Sequence, residues 1–463
     1  MASELPEAER GRRVQGSWGG RQVRGDVVRV SARGLAVTLG LAVALTVGAV
    51  VIGGTHDEGR PSVAAAPPAA PVDRLLAGDL DRGVTALRER LRDRPEDYRA
   101  WAALGTAYVE QARVKGDPTR YAEADRALDR ALALRPGHDA ALAGRAALAA
   151  ARHDFDGALR YADRALAVNP YHERALASRV DALVELGRYD AALRAARTAD
   201  ARRPGIPAFT RYAYVRELRG DVTGARRALR LALKDARAPG ETAYVATALA
   251  QLAWRQGDHA EALRRCADAL RADPAYVPAL ETRARAEAAR GDTAAAVAGL
   301  RDVVARQPLP GPLVALGELY EARGDRARAR EQYSLVDAWA KLARANGVNP
   351  DLDTALAAAD HGDPDDAVRS ARAEWNRRRT VHTADALAWA LHARGRDREA
   401  LPYARRATAT GFREASFLYH RGVIETATVS PTAGHKWLRA ALDLNPGFSP
   451  TGSRDAARLL GVR

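Results

Sequence analysis

Apolar and polar residues alternate along most of this chain in blocks that predict pairs of short helices. From about residue 72 onward, blocks rich in Ala, Leu and Val are interrupted by a Gly followed by a polar or charged residue. Gly ends a helix at little cost because it accepts the left-handed backbone conformation, and an Asp after it can cap the next helix. The pattern predicts helical hairpins with turns at Gly187-Arg188, Gly220-Asp221, Gly257-Asp258, Gly291-Asp292, Gly324-Asp325, Gly362-Asp363 and Gly395-Arg396.

The hairpins recur with a fixed period. Pro136, Pro170 and Pro204 stand 34 residues apart, and so do Pro274 and Pro308. A single compact core does not require such a period, whereas a stack of repeated hairpins does. We therefore predict an all-α fold, an α-solenoid of about ten hairpins over residues 72–463, in which a last helix at 454–460 covers the open end of the stack.

The second helix of each predicted hairpin carries Ala at two places seven residues apart. Ala124 and Ala131 form one such pair, and Ala158 and Ala165 form the next. Residues at this spacing share one face of a helix, and small side chains there allow packed helices to approach to about 8–10 Å. A hairpin of this kind cannot bury its apolar face alone, so we expect its stability to come from stacking on its neighbours.

The hairpin over residues 98–138 resembles the tetratricopeptide repeat (TPR). The residues that carry the resemblance, with a seven-residue insertion in the turn between the two helices, are Trp101, Leu104-Gly105, Tyr108, Ala124, Ala131 and Pro136. The resemblance extends over most of the chain from about Val72. It implies a solenoid whose first helices line a concave groove, and a role in binding proteins or peptides without catalysis.

Residues 34–54 form an apolar segment without a charged residue, preceded by an arginine-rich stretch over residues 1–33. A hydrocarbon core about 30 Å thick requires roughly 20 helical residues, which this segment supplies. We therefore predict one transmembrane signal-anchor helix at 34–54, so that the chain resembles single-pass, membrane-anchored bacterial members of the family. Residues 55–71, rich in Pro and Ala, are predicted to be a linker, and residues 1–33 a disordered tail.

The charges on either side of the apolar segment predict its orientation. Four arginines lie shortly before it, whereas the residues that follow it are Asp57, Glu58 and Arg60. The positive-inside rule then places the N-terminus in the cytoplasm and the solenoid outside the cytoplasmic membrane. A cleavable signal peptide with a processing site near Ala64-Ala65-Ala66 is the alternative, although the apolar region of such a peptide is typically only about 7–15 residues long.

One face of the predicted span consists of small side chains. Gly40, Ala44 and Gly48 recur every four residues. A strip of this kind can bring two membrane helices close together. It predicts weak self-association in the membrane, with the general abundance of Ala and Gly as the alternative reason for the strip.

Composition narrows the classes of function. The formal net charge is +14, with Arg supplying nearly all of the positive charge. Because Arg and Ala are both abundant, we interpret this charge as a coding bias and predict no nucleic-acid partner. Cys266 is the single cysteine, so an intramolecular disulfide is excluded. The position of Cys266 in its hairpin predicts a small buried side chain.

The motifs of catalysis are absent from the sequence. It contains no nucleophile elbow, phosphate-binding loop, Rossmann glycine pattern or paired-His metal motif. We therefore predict no enzymatic activity, no cofactor and no metal site.

Two sets of side chains on predicted first helices are candidates for contact with a partner. The first set has an aromatic ring flanked by polar groups, the composition of a binding hot spot, although packing against the next hairpin is the alternative. The second set offers a polar surface of mixed charge. The candidate groove residues of the first set are His382, Asp385, Trp389 and His392, and those of the second set are Gln251, Trp254 and Arg255.

These observations lead to one functional hypothesis and two alternatives. The sequence favours a non-catalytic, membrane-anchored TPR scaffold that mediates protein–protein interactions outside the cytoplasmic membrane. The alternatives are an adaptor that faces the cytoplasm and a regulatory or assembly subunit of a membrane enzyme complex.

Overall fold

The computed structural model describes residues 80–115, 119–345 and 349–462, all of which belong to one compact unit. Within these ranges every regular element is an α-helix. The predicted tail, span, small-residue strip and linker, residues 1–71, lie outside the described residues. Among the described helices, none combines the length and the apolar character that crossing a membrane requires.

The described helices form ten hairpins between a single leading helix and a single final helix. The all-α solenoid predicted from the sequence is confirmed. The helices are α1 Leu80–Asp93, α2 Tyr98–Lys115, α3 Arg120–Leu134, α4 Asp139–Ala151, α5 Phe155–Val168, α6 Glu173–Glu185, α7 Tyr189–Arg202, α8 Ile206–Leu218, α9 Val222–Asp235, α10 Pro239–Arg255, α11 His259–Ala272, α12 Val277–Ala289, α13 Thr293–Arg306, α14 Pro310–Ala322, α15 Arg326–Ala345, α16 Asp351–His361, α17 Pro364–Arg377, α18 Val381–Ala393, α19 Asp397–Ala407, α20 Ala415–Thr428, α21 Pro431–Leu444 and α22 Gly452–Leu460.

Aspartates in the turns cap several second helices. The carboxylate of Asp221 accepts a hydrogen bond from the backbone N–H of Gly224 at 2.8 Å, and Asp258 does the same with Glu261 at 3.0 Å. Such a cap satisfies one of the free N–H groups of the first turn and stabilises the helix by about 1 kcal/mol. The Gly-Asp pairs of the sequence therefore end one helix and begin the next.

Small residues are required where the two helices of a hairpin meet. Ala124 and Ala131 on α3 are fully buried. At Gly105 on α2, an added Cβ would lie 2.5 Å from Cγ of Leu128 on α3. This close approach explains why Gly follows Leu104 in the first helix of the hairpin.

The later hairpins lie alongside the earlier ones, in contacts between residues far apart in sequence. At Gly187 in the α6–α7 turn, an added Cβ would lie 2.3 Å from the carbonyl oxygen of Arg379, just before α18. At Gly257 in the α10–α11 turn, it would lie 2.4 Å from the carbonyl oxygen of Leu444, at the end of α21. We call this contact the seam, formed by the hairpin turns at Gly187, Gly220 and Gly257 against the loops at 378–380, 411–413 and 444–447.

A second long-range contact involves α15, which is longer than the other second helices. Trp339, Ala340 and Ala343 belong to the same apolar cluster as Leu87 on α1 and Leu104 on α2. The C-terminal half of α15 therefore packs on the leading helices of the array.

Candidate functional site

The first set of candidate groove residues lies on α18, where Asp385 and Trp389 are buried and His382 and His392 are half-buried. Trp389 is 8% exposed, and its Nε1 donates a hydrogen bond to Oδ1 of Asp360 at 2.6 Å. Its ring stacks on His420 of α20, with 4.1 Å between ring centroids, and on His392, with 4.8 Å. The expectation of an exposed Trp389 is wrong, because α16 and α20 cover the ring on both sides.

Asp385 is bound inside the same cluster. It is 1% exposed, and Nδ1 of His420 lies 2.9 Å from its Oδ2. Burial disfavours the charged form of His420, but the Asp385 carboxylate outweighs it and raises the pKa of His420 above its ordinary value. Asp385 therefore forms an internal ion pair with His420, between α18 and α20. The prediction that Asp385 lies on an open groove is wrong.

His382 and His392 are both half-buried, and His382 lies against two aromatic rings. The His382 ring lies 5.5 Å from the rings of both Phe412 and Phe417. Burial, with smaller contributions from Arg378 and Arg255, lowers the pKa of His382 to about 4, so this ring is neutral at pH 7. His392 is half-buried, and its Nδ1 lies 2.5 Å from Oδ1 of Asp397.

The second set of candidates lies on α10, at the seam. Arg255 forms two hydrogen bonds with Glu217 of α8, at 2.6 and 2.9 Å. The backbone carbonyl of Trp254 accepts a hydrogen bond from Nδ2 of Asn445 at 2.8 Å. Oε1 of Gln251 and Nε1 of Trp254 are polar atoms without a hydrogen-bond partner in the described part of the chain.

The structure thus separates the candidates into two groups. Asp385 and Trp389 are buried. The half-buried candidates are His382, His392, Gln251, Trp254 and Arg255, and partner contact by these five stays a prediction. His382 of α18 is close enough to Arg255 of α10 for the guanidinium to contribute to its lowered pKa.

A buried ion-pair triad crosses the seam. Arg378, at the end of α17, binds Glu374 of its own helix and Glu185 of α6. The side chains of Arg378, Glu185 and Glu374 are 4%, 7% and 2% exposed. Sequence reasoning missed this triad, for which the one signal was a carboxylate, Glu185, inside the apolar run 183–186.

Next to the triad, the seam encloses a cavity of about 10 Å³. Its lining includes Glu185, Tyr189, Arg378 and His382. This volume corresponds to the space of about one water molecule. The space beside His382 therefore admits about one water molecule.

Further along the seam, Glu318 of α14 accepts a hydrogen bond from Ser449. The Ser449 Oγ lies 3.0 Å from Oε2 of Glu318. Burial raises the pKa of Glu318 to about 7, and the nearby Asp360 carboxylate adds to the shift. The polar groups along the seam are thus bound to each other across it.

The remaining candidate chemistry is limited. Within the described residues, no three His, Cys, Asp or Glu side chains are grouped so as to hold a metal ion. Cys266 is buried, as its position in the hairpin predicted, and burial raises the pKa of its thiol to about 12. A thiol with this pKa is a poor nucleophile at neutral pH.

Replacing Trp389 with phenylalanine tests the internal role of this side chain. The ring is retained, but the hydrogen bond to the Asp360 carboxylate is lost, so we expect the free energy of unfolding to fall by about 1–2 kcal/mol. Urea denaturation followed by circular dichroism measures the change. Trp375→Phe is the control, because that half-buried ring contacts Tyr403 edge-on. An equal loss in both variants would contradict a specific role for the Trp389–Asp360 hydrogen bond.

Comparison with known proteins finds a family match for two segments of the chain. Residues 146–207 and 247–311 match the family model of the tetratricopeptide repeat. A comparison with curated proteins finds no match.

Solved structures similar to this chain include two that are described as TPR proteins. A thermophilic TPR protein of Thermus thermophilus is 24% identical, with 41% of this chain and 98% of that chain covered and a TM-score of 0.36. A tetratricopeptide repeat protein of Parabacteroides merdae is 18% identical, with 55% and 98% covered and a TM-score of 0.32. The Cut9–Hcn1 hetero-tetramer of the APC/C is 15% identical, with 83% and 72% covered and a TM-score of 0.45. We conclude that this chain is an all-α solenoid of stacked hairpins, in which residues 146–207 and 247–311 match the tetratricopeptide repeat.

Proposed function

We propose that this chain is a non-catalytic TPR scaffold, anchored in the membrane by residues 34–54, that binds proteins or peptides outside the cytoplasmic membrane. Tetratricopeptide repeats generally mediate protein–protein interactions. The observation that carries the proposal is the array of ten stacked hairpins itself, because such an array presents an extended surface of repeated side-chain positions.

The anchoring part of the proposal is supported by the sequence. Residues 34–54 lack a charged residue, and arginines dominate the flank that precedes them. Residues 55–79 separate the apolar segment from Leu80, where the first described helix begins. A segment of this length can hold the array away from the lipid.

A topology measurement tests the location. Alkaline phosphatase fused after residue 463 is expected to be active in a bacterial host, since this enzyme gains activity only outside the cytoplasm. A fusion to green fluorescent protein at the same position is expected to be non-fluorescent when it is exported across the membrane in the same way as the phosphatase fusion. An expressed but inactive phosphatase fusion together with a fluorescent green fusion would overturn the proposed orientation and support the adaptor that faces the cytoplasm.

A further inference from the structure

The outward faces of four successive second helices carry arginines at equivalent positions. Each of these arginines stands two residues after the buried Ala of its helix, at Ala124, Ala158, Ala192 and Ala225. The first row consists of Arg126, Arg160, Arg194 and Arg227. One turn further along the same helices stands a second row, Arg130, Arg164, Arg197 and Arg230. We call these eight residues of α3, α5, α7 and α9 the arginine ladder.

All eight side chains of the arginine ladder are exposed. Several carboxylates on the ladder helices are bound to arginines outside the ladder. Asp125 and Asp129 of α3 pair with Arg145 of α4, and Asp163 of α5 pairs with Arg179 of α6 at 2.9 Å. Five other carboxylates lie on these helices. Glu123 is paired with Arg120, Asp156 with Arg188 and Asp190 with Arg219. Asp200 and Asp235 lie toward the C-terminal ends of α7 and α9.

The ladder is restricted to one part of the array. At the first-row position, the next second helix carries Arg264, which is paired with Glu261 at 2.6 Å. The two second helices after that carry Ala298 and Glu331 at this position. An arginine returns at this position on α17, where Arg369 is paired with Asp366. The continuous run of arginines at this position therefore ends before α13.

The candidate groove and the outer face of the array differ in how exposed their side chains are. Two of the candidate groove residues, Asp385 and Trp389, are buried among packed side chains. The outward faces of α3, α5, α7 and α9, in contrast, carry long exposed cations in successive hairpins.

We propose that the arginine ladder binds an extended acidic polypeptide segment, rich in Asp and Glu, on the outer face of α3, α5, α7 and α9. This inference rests on the proposed scaffold function and names the chemistry of its partner. The guanidinium group binds carboxylates through paired parallel hydrogen bonds. Packed helices lie about 8–10 Å apart, so one hairpin step corresponds to at least three residues of extended chain at about 3.3 Å each.

An acidic polypeptide fits this surface better than a nucleic acid does. Two arginines per hairpin are a sparse match for a duplex, which carries one phosphate charge per about 1.7 Å of axis. A single strand is usually held by bases stacked on exposed aromatic rings. On the four ladder helices, the aromatic side chains Tyr121, Phe155, Tyr161 and Tyr189 are buried or half-buried.

Binding of an oligoglutamate tests the ladder directly. The full chain is purified in a nonionic detergent and titrated against a fluorescent oligoglutamate of about 20 residues, long enough to pass all four hairpins. We expect saturable binding by fluorescence anisotropy that weakens as salt is raised, because the contacts are exposed ion pairs. Replacing all of Arg126, Arg160, Arg194 and Arg227 with Glu is expected to weaken binding about tenfold or more.

A matched control separates the ladder from the general basic charge. Arg301→Glu, Arg330→Glu, Arg398→Glu and Arg439→Glu change the net charge by the same amount at exposed positions elsewhere in the array. This control variant is expected to retain binding within about twofold. Circular dichroism of both variants establishes that the helices are intact.

Three outcomes would overturn the inference. They are an absence of oligoglutamate binding, an equal loss in the ladder and control variants, and ladder-dependent binding of a duplex DNA or of anionic vesicles that is tighter than that of the peptide. The test is independent of the topology measurement. A chain that recruits proteins at the membrane without binding the peptide would keep the scaffold function and lose the ladder.

Discussion

Replacing Arg378 with alanine is expected to lower the free energy of unfolding by about 3–5 kcal/mol. Arg378 binds Glu185 of α6 and Glu374 of α17 in a site where all three side chains are less than one-tenth exposed. Without the guanidinium, two carboxylates remain buried close together. Glu374 keeps its ion pair with Arg377, but Glu185 must keep an unpaired charge away from water or take up a proton, and both cost free energy.

The measurement combines overall stability with a local probe. Urea denaturation gives the overall loss, and hydrogen exchange identifies where the structure opens. Because Glu185 and Arg378 belong to hairpins far apart in sequence, we expect faster exchange both at the end of α6 and at the start of α18.

Arg369→Ala on the same helix is the control for Arg378→Ala. Arg369 is paired with Asp366, and their side chains are 69% and 55% exposed. Exposed pairs of this kind contribute about 1 kcal/mol or less. If the two variants were equally stable, or if exchange changed only around Arg378 itself, the triad would not hold the seam together.

The hairpins could be predicted from the sequence because their signals are local. The turn at Gly220-Asp221 contains both the residue that ends α8 and the residue that caps α9, within two adjacent positions. The small residue at Gly105 is likewise explained by its own hairpin, through the contact with Leu128. Such turn residues and small residues, each explained within a single hairpin, repeat along the chain, and the predicted period follows from their spacing.

The seam could not be predicted in the same way. It depends on how far each hairpin rotates relative to the previous one, which is the sum of many small packing differences. A single sequence gives no measure of that sum. The exposure of Trp389 was misjudged for this reason, since the ring has the composition of a contact surface but is covered by Asp360 and His420 from neighbouring hairpins.

Alanine substitutions at turn glycines are expected to distinguish the seam from an ordinary turn. Gly187 and Gly257 have φ angles of +70° and +76°, whereas Gly395 and Gly291 have +75° and +86°. All four substitutions therefore share a cost of about 1–2 kcal/mol for placing a Cβ in left-handed backbone. The double variant Gly291→Ala with Gly395→Ala measures that shared cost.

The seam adds a second cost at Gly187 and Gly257 alone. An added Cβ would lie 2.3 Å from the carbonyl oxygen of Arg379 or 2.4 Å from that of Leu444, whereas at Gly291 and Gly395 it meets nothing within 4 Å. The obstacle is backbone, which cannot move aside as a side chain tip can. Overpacking of this kind costs about 1–3 kcal/mol per site, so the seam pair is expected to lose about 2–6 kcal/mol more than the control pair.

The two double variants are also expected to differ in which backbone segments show faster hydrogen exchange. Relief of the clash requires the later hairpins to move away from the earlier ones, so the seam pair is expected to show faster hydrogen exchange at 378–385 and 444–449 as well as lower stability in urea. The control pair is expected to show faster exchange only beside its own turns. Equal stability losses in the two pairs, with exchange confined to the substituted turns, would mean that the later hairpins do not rest on the earlier ones in solution.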